Sequence, residues 1–500
     1  MLSAVDTAVV GQDPSLDAET SMADGSPARP RSDVLAVDLD GTLLRTDVSY
    51  ESVALLLKRP WSLLSLAFHL VRGRAALKKE LARRVDLDVT QLPVNLVLLE
   101  WLKREQGRER VLELYSASNN AIVQRVSERF GIFRYAQGSD GRLNLAGEAK
   151  WQAIRARCGP MFTYAGDSHR DVVIWRQCGS AVLVGDVERL RGFLSDKVTV
   201  EESFPVPRGG ARQWLRALRA HQWIKNVLVF VPLLLSGFLA PGLALASLLA
   251  FVAISLAASA SYVVNDLMDL AADRAHPSKR ERPFASAALS IRSGLLALPL
   301  LAGATAVVLL ALPWRASVAV MLYAVCSVAY SAWLKRAPVL DLIVLALLFT
   351  LRLVAGMFAI GEPLSPWLLT FSMFFFFSIA TIKRYDEVRV VAMSGPSAIP
   401  GRGYRTTDGT FLMSVGLSSG FCSALVFFIY LVDPASPSRS YSHPELMWII
   451  CVILAYWLGR AWLIASRGGM HVDPVLFALR DRVTLALGAL TLVVSLAARW

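Results

Sequence analysis

The sequence predicts two unlike halves, a domain that folds outside the membrane followed by an all-α bundle of nine membrane-spanning helices. Three observations carry this. At 54% hydrophobic and a mean hydropathy of +0.46, the chain of 500 residues is too apolar to be wholly soluble. The apolarity is confined to the part after residue 225, where nine segments approach the roughly 20 helical residues needed to cross a hydrocarbon core of about 30 Å. Residues 1–225 hold no comparable run and lack the basic start and apolar core of a signal peptide, so this part is expected to be cytosolic.

Taken in order, residues 1–32 are acidic and small, end in GSPARPRS, and read as a disordered lead. A soluble domain is expected over 33–197 and a linker over 198–212, where VEESFPVPRGGAR supplies Pro and Gly. The membrane domain then fills 213–500, with spans expected at 226–240, 242–264, 294–312, 315–333, 338–360, 366–382, 411–432, 446–465 and 483–499. The first is short and is expected to be tilted or broken. If the N-terminal part lies inside, the loops after the second, fourth, sixth and eighth spans must be rich in Lys and Arg. They are: Arg274, Lys279, Arg280, Arg282 and Arg292; Lys335 and Arg336; Lys383, Arg384, Arg389, Arg402 and Arg405; Arg467, Arg480 and Arg482. The opposite loops offer Arg315 and Arg439 and little else. The excess of 52 basic over 40 acidic residues therefore reflects topology in the lipid bilayer, and no nucleic-acid partner is expected. Five cysteines without a CxxC pair fit a reducing compartment and argue against a disulfide framework or zinc site.

The end of the second span reads YVVNDLMDLAADRAHPSKRERPF, residues 262–284. If the helix continues, Asn265, Asp269 and Asp273 stack at i, i+4, i+8, with Asp266 three before Asp269, so all four share one face. Carboxylates that close repel unless a cation lies between them. Mg²⁺ is the natural one, being hard, oxygen-loving and usually held by one or two carboxylates together with substrate phosphates. Lys279 and Arg282 would then contact phosphate directly. The bland alternative is a solvated helix end with ordinary salt bridges, which leaves this acidic spacing at a membrane edge unaccounted for.

NDLMDLAADR followed by KRERP, set among nine spans, resembles the first aspartate-rich motif of the UbiA superfamily of intramembrane prenyltransferases, over residues 213–500. The resemblance implies a helical bundle with a central cavity, a Mg²⁺-diphosphate site at its cytosolic mouth, and a lateral opening for a polyprenyl chain. It departs from the usual pattern after the sixth span, where KRYDEVRVV and GRGYRTTD place Asp386 beside Glu387 and Asp408 far along, with no D-x-x-x-D. Lys383, Arg384, Arg402, Tyr404 and Arg405 stand there instead, a set suited to phosphate oxygens. Together with HQWIKN at 221–226, which holds Lys225, and LKRAPVLDLIVLALLFTLRLVAG at 334–356, this resembles the polyprenyl-phosphate (decaprenyl-phosphate) phosphoribosyltransferase branch. That branch implies phosphoribosyl pyrophosphate as donor and a polyprenyl phosphate as acceptor. More phosphate needs more cation, and an anionic lipid phosphate needs no general base. Catalysis then reduces to positioning and to stabilising the departing pyrophosphate. Arg352, deep in the fifth span, costs about 2.5–3.5 kcal/mol there and should face the cavity, either for a phosphate or paired with Asp341. His221 and Lys225 are either phosphate contacts or interfacial anchors. His276 reads as solvated, and FFFF at 374–377 as packing or lipid-facing surface.

In the soluble half, VLAVDLDGTLL at 34–44 is an apolar strand delivering D-x-D-G-T to its C-terminal edge. VLELYSAS with Ser116, GEAK with Lys150, and YAGDSHRD with Asp167 and Asp171 follow. This order resembles the four motifs of the haloacid dehalogenase superfamily, an α/β Rossmannoid fold, with a helical cap expected at about 45–108. Ser118 is an alternative to Ser116. The resemblance implies that Asp38 attacks phosphorus, Asp40 acts as acid and then base, and Ser116 and Lys150 hold phosphoryl oxygens. Mg²⁺ would be held by Asp38, the Asp40 carbonyl and Asp167, with Asp171 in support.

A P-type ion pump also joins this fold to membrane helices. It needs a long-lived phosphoenzyme, which Asp40 would hasten to hydrolyse, and its phosphorylation domain interrupts its helices. A noncatalytic scaffold would not require two sets of magnesium ligands. The expectation is a bifunctional multi-pass enzyme of a bacterial inner membrane. It would transfer 5-phosphoribose to a polyprenyl phosphate and then remove the 5-phosphate, toward a lipid-linked ribose or arabinofuranose donor. The alternative is a UbiA-type aromatic prenyltransferase using a prenyl diphosphate. The sequence leaves a homo-oligomer open.

Overall fold

The computed structural model describes residues 33–499 apart from 59–79, 82, 141–142, 196–197, 208, 237–239, 394, 396–398, 400, 434–441 and 471–472. The expected lead at 1–32 and the middle of the expected cap, 59–79, lie outside the described residues.

The N-terminal half is built on a six-stranded parallel sheet, ordered β3-β2-β1-β4-β5-β6. The strands are β1 (Val34–Asp38), β2 (Val111–Asn119), β3 (Tyr135–Ser139), β4 (Thr163–Gly166), β5 (Ser180–Gly185) and β6 (Thr199–Pro205). Parallel strands covered on both faces read as unbroken apolar runs, and Leu35, Ala36 and Val37 are all fully buried. From β1 the chain builds one way to β2 and β3 and the other way to β4, β5 and β6. Such a reversal opens a crevice at the carboxyl ends of the central strands.

Two expectations need correction here. Thr199–Pro205 was expected in the linker but pairs in parallel with β5. Arg110 pins it, donating to both carboxylate oxygens of Glu201 at 2.8 and 3.1 Å. The charged VEES hides a strand because it lies at the sheet edge, where one side needs no apolar cover. Within the expected cap, α1 (Val48–Leu56) is N-capped by Asp47, and α2 (Leu96–Gly107) by Asn95. Leu98, Leu99 and Leu102 of α2 enter the sheet core, so this helix is a layer of the α/β domain.

The longer further helices of this half, α3 (Asn120–Phe130) and α4 (Glu148–Cys158), and two short ones at Val172–Trp175 and Val187–Arg191 precede α5 (Ala211–Ala217), which leads toward the membrane. Among the described residues, seven helices are long and apolar enough to cross a bilayer, not the expected nine. A 3₁₀ helix, Ala220–Phe230, and the short α6 (Val231–Ser236) occupy the first expected span. The seven follow as α7 (Pro241–Met268), then, after the short α8 (Leu270–Ala275), α9 (Ile291–Leu310), α10 (Trp314–Ala332), α11 (Leu340–Ala359), α12 (Pro366–Met393), α13 (Gly409–Val432) and α14 (Trp448–Ser466). The ninth expected span is α15 (Arg482–Arg499), whose 18 residues rise only about 27 Å. Helix α11 is the most buried of the seven and α9 the least. Gly356 of α11 lets the 3₁₀ segment come close, since a Cβ there would lie 2.2 Å from the Val229 carbonyl oxygen.

The two halves are docked. Tyr50, Ala54 and Leu57 in and beside α1 share one apolar cluster with Ala217, Val263, Leu267, Leu270 and Phe284.

Candidate functional site

Two constellations of charge stand out, one in each half. At the crevice of the sheet, Asp38 ends β1 and Asp167 follows β4. Asp38, Asp167 and Asp171 each offer an oxygen within 4.8 Å of the others', the one such three-acid cluster among the described residues. Lys150, on α4, donates to Asp38 Oδ1 at 2.6 Å and to the Tyr164 hydroxyl at 3.1 Å. Tyr164 in turn donates to Asp171 Oδ1 at 2.8 Å, and Ser168 gives Asp171 Oδ2 both its N–H and its hydroxyl. Tyr164 escaped the sequence reading because a tyrosine inside a strand reads as core.

Burial pushes the Asp38 carboxyl up to about 7, against the pull of Lys150, and the neighbouring Asp171 and Asp40 add to the rise. Burial, then Asp171 and Asp38, hold Asp167 well above the usual range. Although burial works against it, Lys150 is kept above its ordinary value by Asp38 and Asp171. Three carboxylates held this close, with oxygen donors only, make a set that fits a divalent cation. Asp40 sits beside them, its Oδ2 accepting from both Ser116 and Ser118 at 2.7 Å and its Oδ1 from the Val48 N–H at 2.8 Å. Both candidate serines therefore reach the same carboxylate.

The second constellation lies at the end of α7. The helix does not continue through the motif as expected. It breaks at Asp269, with φ −102° and ψ 14°, and restarts as α8. Asp266 Oδ1 accepts from Arg219 at 2.6 Å and Arg282 at 3.3 Å; Asp273 Oδ2 accepts from Arg282 at 2.7 Å. Asp269 accepts from Lys335 at 2.6 Å, and Lys335 also reaches Asn265 at 3.3 Å. Each carboxylate is thus met by a basic side chain, and the three do not close into one tight cluster. Burial lifts the Asp273 carboxyl, against the pull of Arg282. Arg219 reaches Asp266 from a left-handed backbone (φ 51°), a conformation costing a non-glycine residue roughly 1–2 kcal/mol. Neither Arg219 nor Lys335 could be assigned from sequence, because only the fold brings positions 47 and 66 residues away onto these acids.

The remaining expected phosphate ligands scatter around this mouth. Lys279 and Arg405 are exposed. Lys225 and Lys383 share Asp473, at 2.8 and 3.3 Å. Arg402 donates to the Tyr330 hydroxyl at 2.9 Å. Tyr404 turns inward: it donates to Asp341 Oδ1 at 2.7 Å and accepts from the Val339 N–H at 2.7 Å. Val339 centres a γ-turn (φ 66°, ψ −47°) closed by the Leu340 N–H on the Pro338 carbonyl, a strained geometry for a β-branched residue that this hydroxyl helps hold. Asp341 is taken by Arg384 at 2.8 Å, so it is not the partner of Arg352. Arg352 is buried and donates to Asn226, Tyr323 and the Leu348 carbonyl, with no ion pair among the described residues. After α12 begins to leave the membrane, Asp386 pairs with Arg389 and Glu387 with Arg384.

An apolar cavity of about 1050 Å³ lies between α6, α12, α13, α14 and α15. Leu235, Phe371, Phe375, Tyr430, Trp457 and Leu487 line it, and none of the acids of the mouth does.

A many-helix apolar bundle with an acidic, cation-studded mouth and an apolar cavity defines a multi-pass membrane protein. The family model described as the UbiA prenyltransferase family matches residues 227–480, and the chain belongs to that family. The uncharacterized protein y4nM of Sinorhizobium fredii is 36% identical over 461 residues, covering 91% of this chain and 89% of that one. The nodulation protein NoeC of Azorhizobium caulinodans is 37% identical over 272 residues, 54% of this chain and 88% of its own. A decaprenyl-phosphate phosphoribosyltransferase of Mycolicibacterium smegmatis is 29% identical over 294 residues, 57% of this chain and 92% of its own.

Proposed function

We propose that the membrane half transfers 5-phosphoribose from phosphoribosyl pyrophosphate to a polyprenyl phosphate, and that the N-terminal half, a haloacid dehalogenase-type phosphatase, removes the 5-phosphate. The observation that carries the transferase reading is the state of the acids after the sixth expected span. Asp386 and Glu387 are each paired with an arginine three residues away on their own helix, Arg402 also lies 3.9 Å from Glu387, and Lys383 is held only at 3.3 Å by Asp473, so cations outnumber acids here. A mouth with one acidic motif and this surplus of cations suits a donor and acceptor that bring several phosphates. The relative whose name is decaprenyl-phosphate phosphoribosyltransferase supports the same reading.

In this reading Asp266, Asp269 and Asp273, with Asn265, would hold Mg²⁺ once the basic side chains on them turn to the donor, and the ion would supply charge for the diphosphate. Arg282 and Lys279 contact its oxygens, and Arg219 and Lys335 give up part of their hold on the acids. Arg352, a buried cation with no carboxylate partner among the described residues, would meet an anion on the lipid side, and Lys225 would join it by releasing part of its hold on Asp473. The apolar cavity takes the polyprenyl chain. The lipid phosphate attacks the anomeric carbon in line and inverts it.

In the soluble half, Asp38, Asp167 and Asp171 fit a second Mg²⁺, which would screen the phosphate charge as Asp38 approaches. Asp38 attacks phosphorus to form an aspartyl phosphate. Asp40, held by Ser118 and the Val48 N–H, protonates the leaving oxygen and then takes a proton from water. Lys150 and Ser116 steady the phosphoryl oxygens. The Lys- and Arg-rich loops after the second, fourth, sixth and eighth expected spans support a cytoplasmic location for this domain, beneath a bacterial inner membrane.

The test is purified protein with Mg²⁺, polyprenyl phosphate and labelled phosphoribosyl pyrophosphate, run beside a prenyl diphosphate with 4-hydroxybenzoate. Labelled lipid in the first reaction alone is the expected result. Product in the second alone would make the protein an aromatic prenyltransferase.

A further inference from the structure

Asp40 and Asp273 belong to different halves of the molecule, yet a short run of direct contacts joins them. The N–H of Val48, the first residue of α1, donates to Asp40 Oδ1 at 2.8 Å. One turn later Glu51 is only 2% exposed. Its Oε1 accepts from Thr46 Oγ1 at 2.8 Å and from Arg274 Nη2 at 2.6 Å, and its Oε2 from Arg274 Nη1 at 3.2 Å. The Arg274 Nε donates to the Ala285 carbonyl at 3.1 Å. Arg274 therefore grips both limbs of the loop that runs from Asp273 to Ala285, and Glu51 grips Arg274.

That loop carries the charged groups of the mouth. Asp273 immediately precedes Arg274, and Arg282, which bonds Asp273 and Asp266, lies three residues before Ala285. A forked guanidinium on a buried carboxylate fixes orientation as well as distance. Tyr50, Ala54 and Leu57, in and beside the same helix, share an apolar cluster with Val263, Leu267, Leu270 and Phe284, a second tie between α1 and the end of α7.

We propose that Glu51 and Arg274 are positioning residues of the membrane site: through this pair the soluble half sets the loop that presents Asp273, Lys279 and Arg282 to a diphosphate. The inference rests on the reading above only in taking this mouth as the diphosphate site. The soluble half is then a structural part of the membrane site as well as a second active centre.

The test uses the full chain in detergent. Glu51→Gln keeps the shape and removes the charge. Three readouts apply: binding of inorganic pyrophosphate with Mg²⁺, hydrogen exchange of amides 276–289, and the KM and kcat for phosphoribosyl pyrophosphate. The expected result is pyrophosphate affinity weakened about tenfold, with KM raised to match and kcat within about twofold, the scale of coupling through a packed network. Amides 276–289 should exchange about tenfold faster while those of Leu340–Ala359 keep their protection. A pair that served stability alone would reduce the amount of active protein and leave KM unchanged. Folded Glu51→Gln protein with wild-type pyrophosphate binding and wild-type exchange overturns the proposal. If Glu51→Gln does not fold, Arg274→Lys, which keeps the charge but loses the fork, must show the same changes in smaller measure. Its identity with wild type would equally overturn the proposal. Wild-type protein that ignores phosphoribosyl pyrophosphate would sink the proposed donor, while pyrophosphate binding and exchange would still decide the role of Glu51.

Discussion

Gly41 offers a way to disturb the soluble centre without replacing any of its acidic or basic side chains. It lies between Asp40 and Thr42 with φ +79°, and a Cβ built on it would sit 2.2 Å from Asp167 Oδ2 and 2.6 Å from its Cγ. Ordinary contact between such atoms is about 3.5 Å, so in Gly41→Ala the carboxylate must retreat by about 1 Å or the loop must open. The backbone adds roughly 1–2 kcal/mol for a left-handed alanine. A misplacement of about 1 Å at a reacting centre costs on the order of 10²-fold in rate. Gly41→Ala should therefore lower phosphatase turnover, measured with p-nitrophenyl phosphate and with phosphoribosylated lipid, by about 100-fold, with only a small loss of thermal stability. Transfer by the membrane half should persist. A variant that hydrolyses phosphate at the wild-type rate would show that Asp167 does not act from beneath this turn.

Other outcomes test the remaining assignments. Asp269→Asn should nearly abolish transfer in protein that purifies folded, and wild-type transfer rates in Mg²⁺ would remove Asp266, Asp269 and Asp273 from the diphosphate site. Asp38→Asn should leave transfer intact and make phosphoribosylated lipid accumulate at the expense of the ribosyl form. An unchanged ratio by mass spectrometry would mean that the soluble half acts on something else. The acid cluster also predicts a pH dependence with a definite sign. Folded Asp38 keeps its proton up to about 7, whereas an exposed Asp releases it near 3.8. The favourable contribution of that proton is fully present below 3.8 and is lost as pH rises through about 7. With metal chelated, Asp38→Asn should thus gain thermal stability relative to wild type as pH climbs across this window. A difference that stays flat with pH would refute the burial of that charge.

The sequence made the chemistry of single segments plain and the company they keep obscure. D-x-D-G-T after an apolar strand, and acids at the end of α7, are local patterns, and the structure brings Asp38, Asp167, Asp171 and Lys150 to one place. The partners of the membrane acids were illegible, because Arg219 and Lys335 look like any positive-inside residues until the bundle folds. Tyr404 was misread for a related reason. A tyrosine in a basic loop looks available to phosphate, and only the strained turn at Val339 and the buried Asp341 draw it inward. Length and apolarity overcounted spans at the two ends, where the first expected span is divided between a 3₁₀ helix and the short α6 and the last is a helix of 18 residues. They undercounted strands at β6, whose charges belong to an edge.

The position of β6 bears on how the chain is made. All six strands are complete by residue 205, before any membrane helix has been synthesised. At roughly 5–20 residues per second, the remaining ~300 residues take on the order of 15–60 s to emerge. For part of that time the sheet can be closed while the apolar face of Tyr50, Ala54 and Leu57 has no counterpart, since Val263, Leu267 and Phe284 are still unmade or in transit to the bilayer. The nascent protein therefore passes through a stage with a finished α/β domain and a bare, greasy shoulder. Loss of Arg274 would lengthen that stage and send more chains to chaperones or proteases before the halves meet.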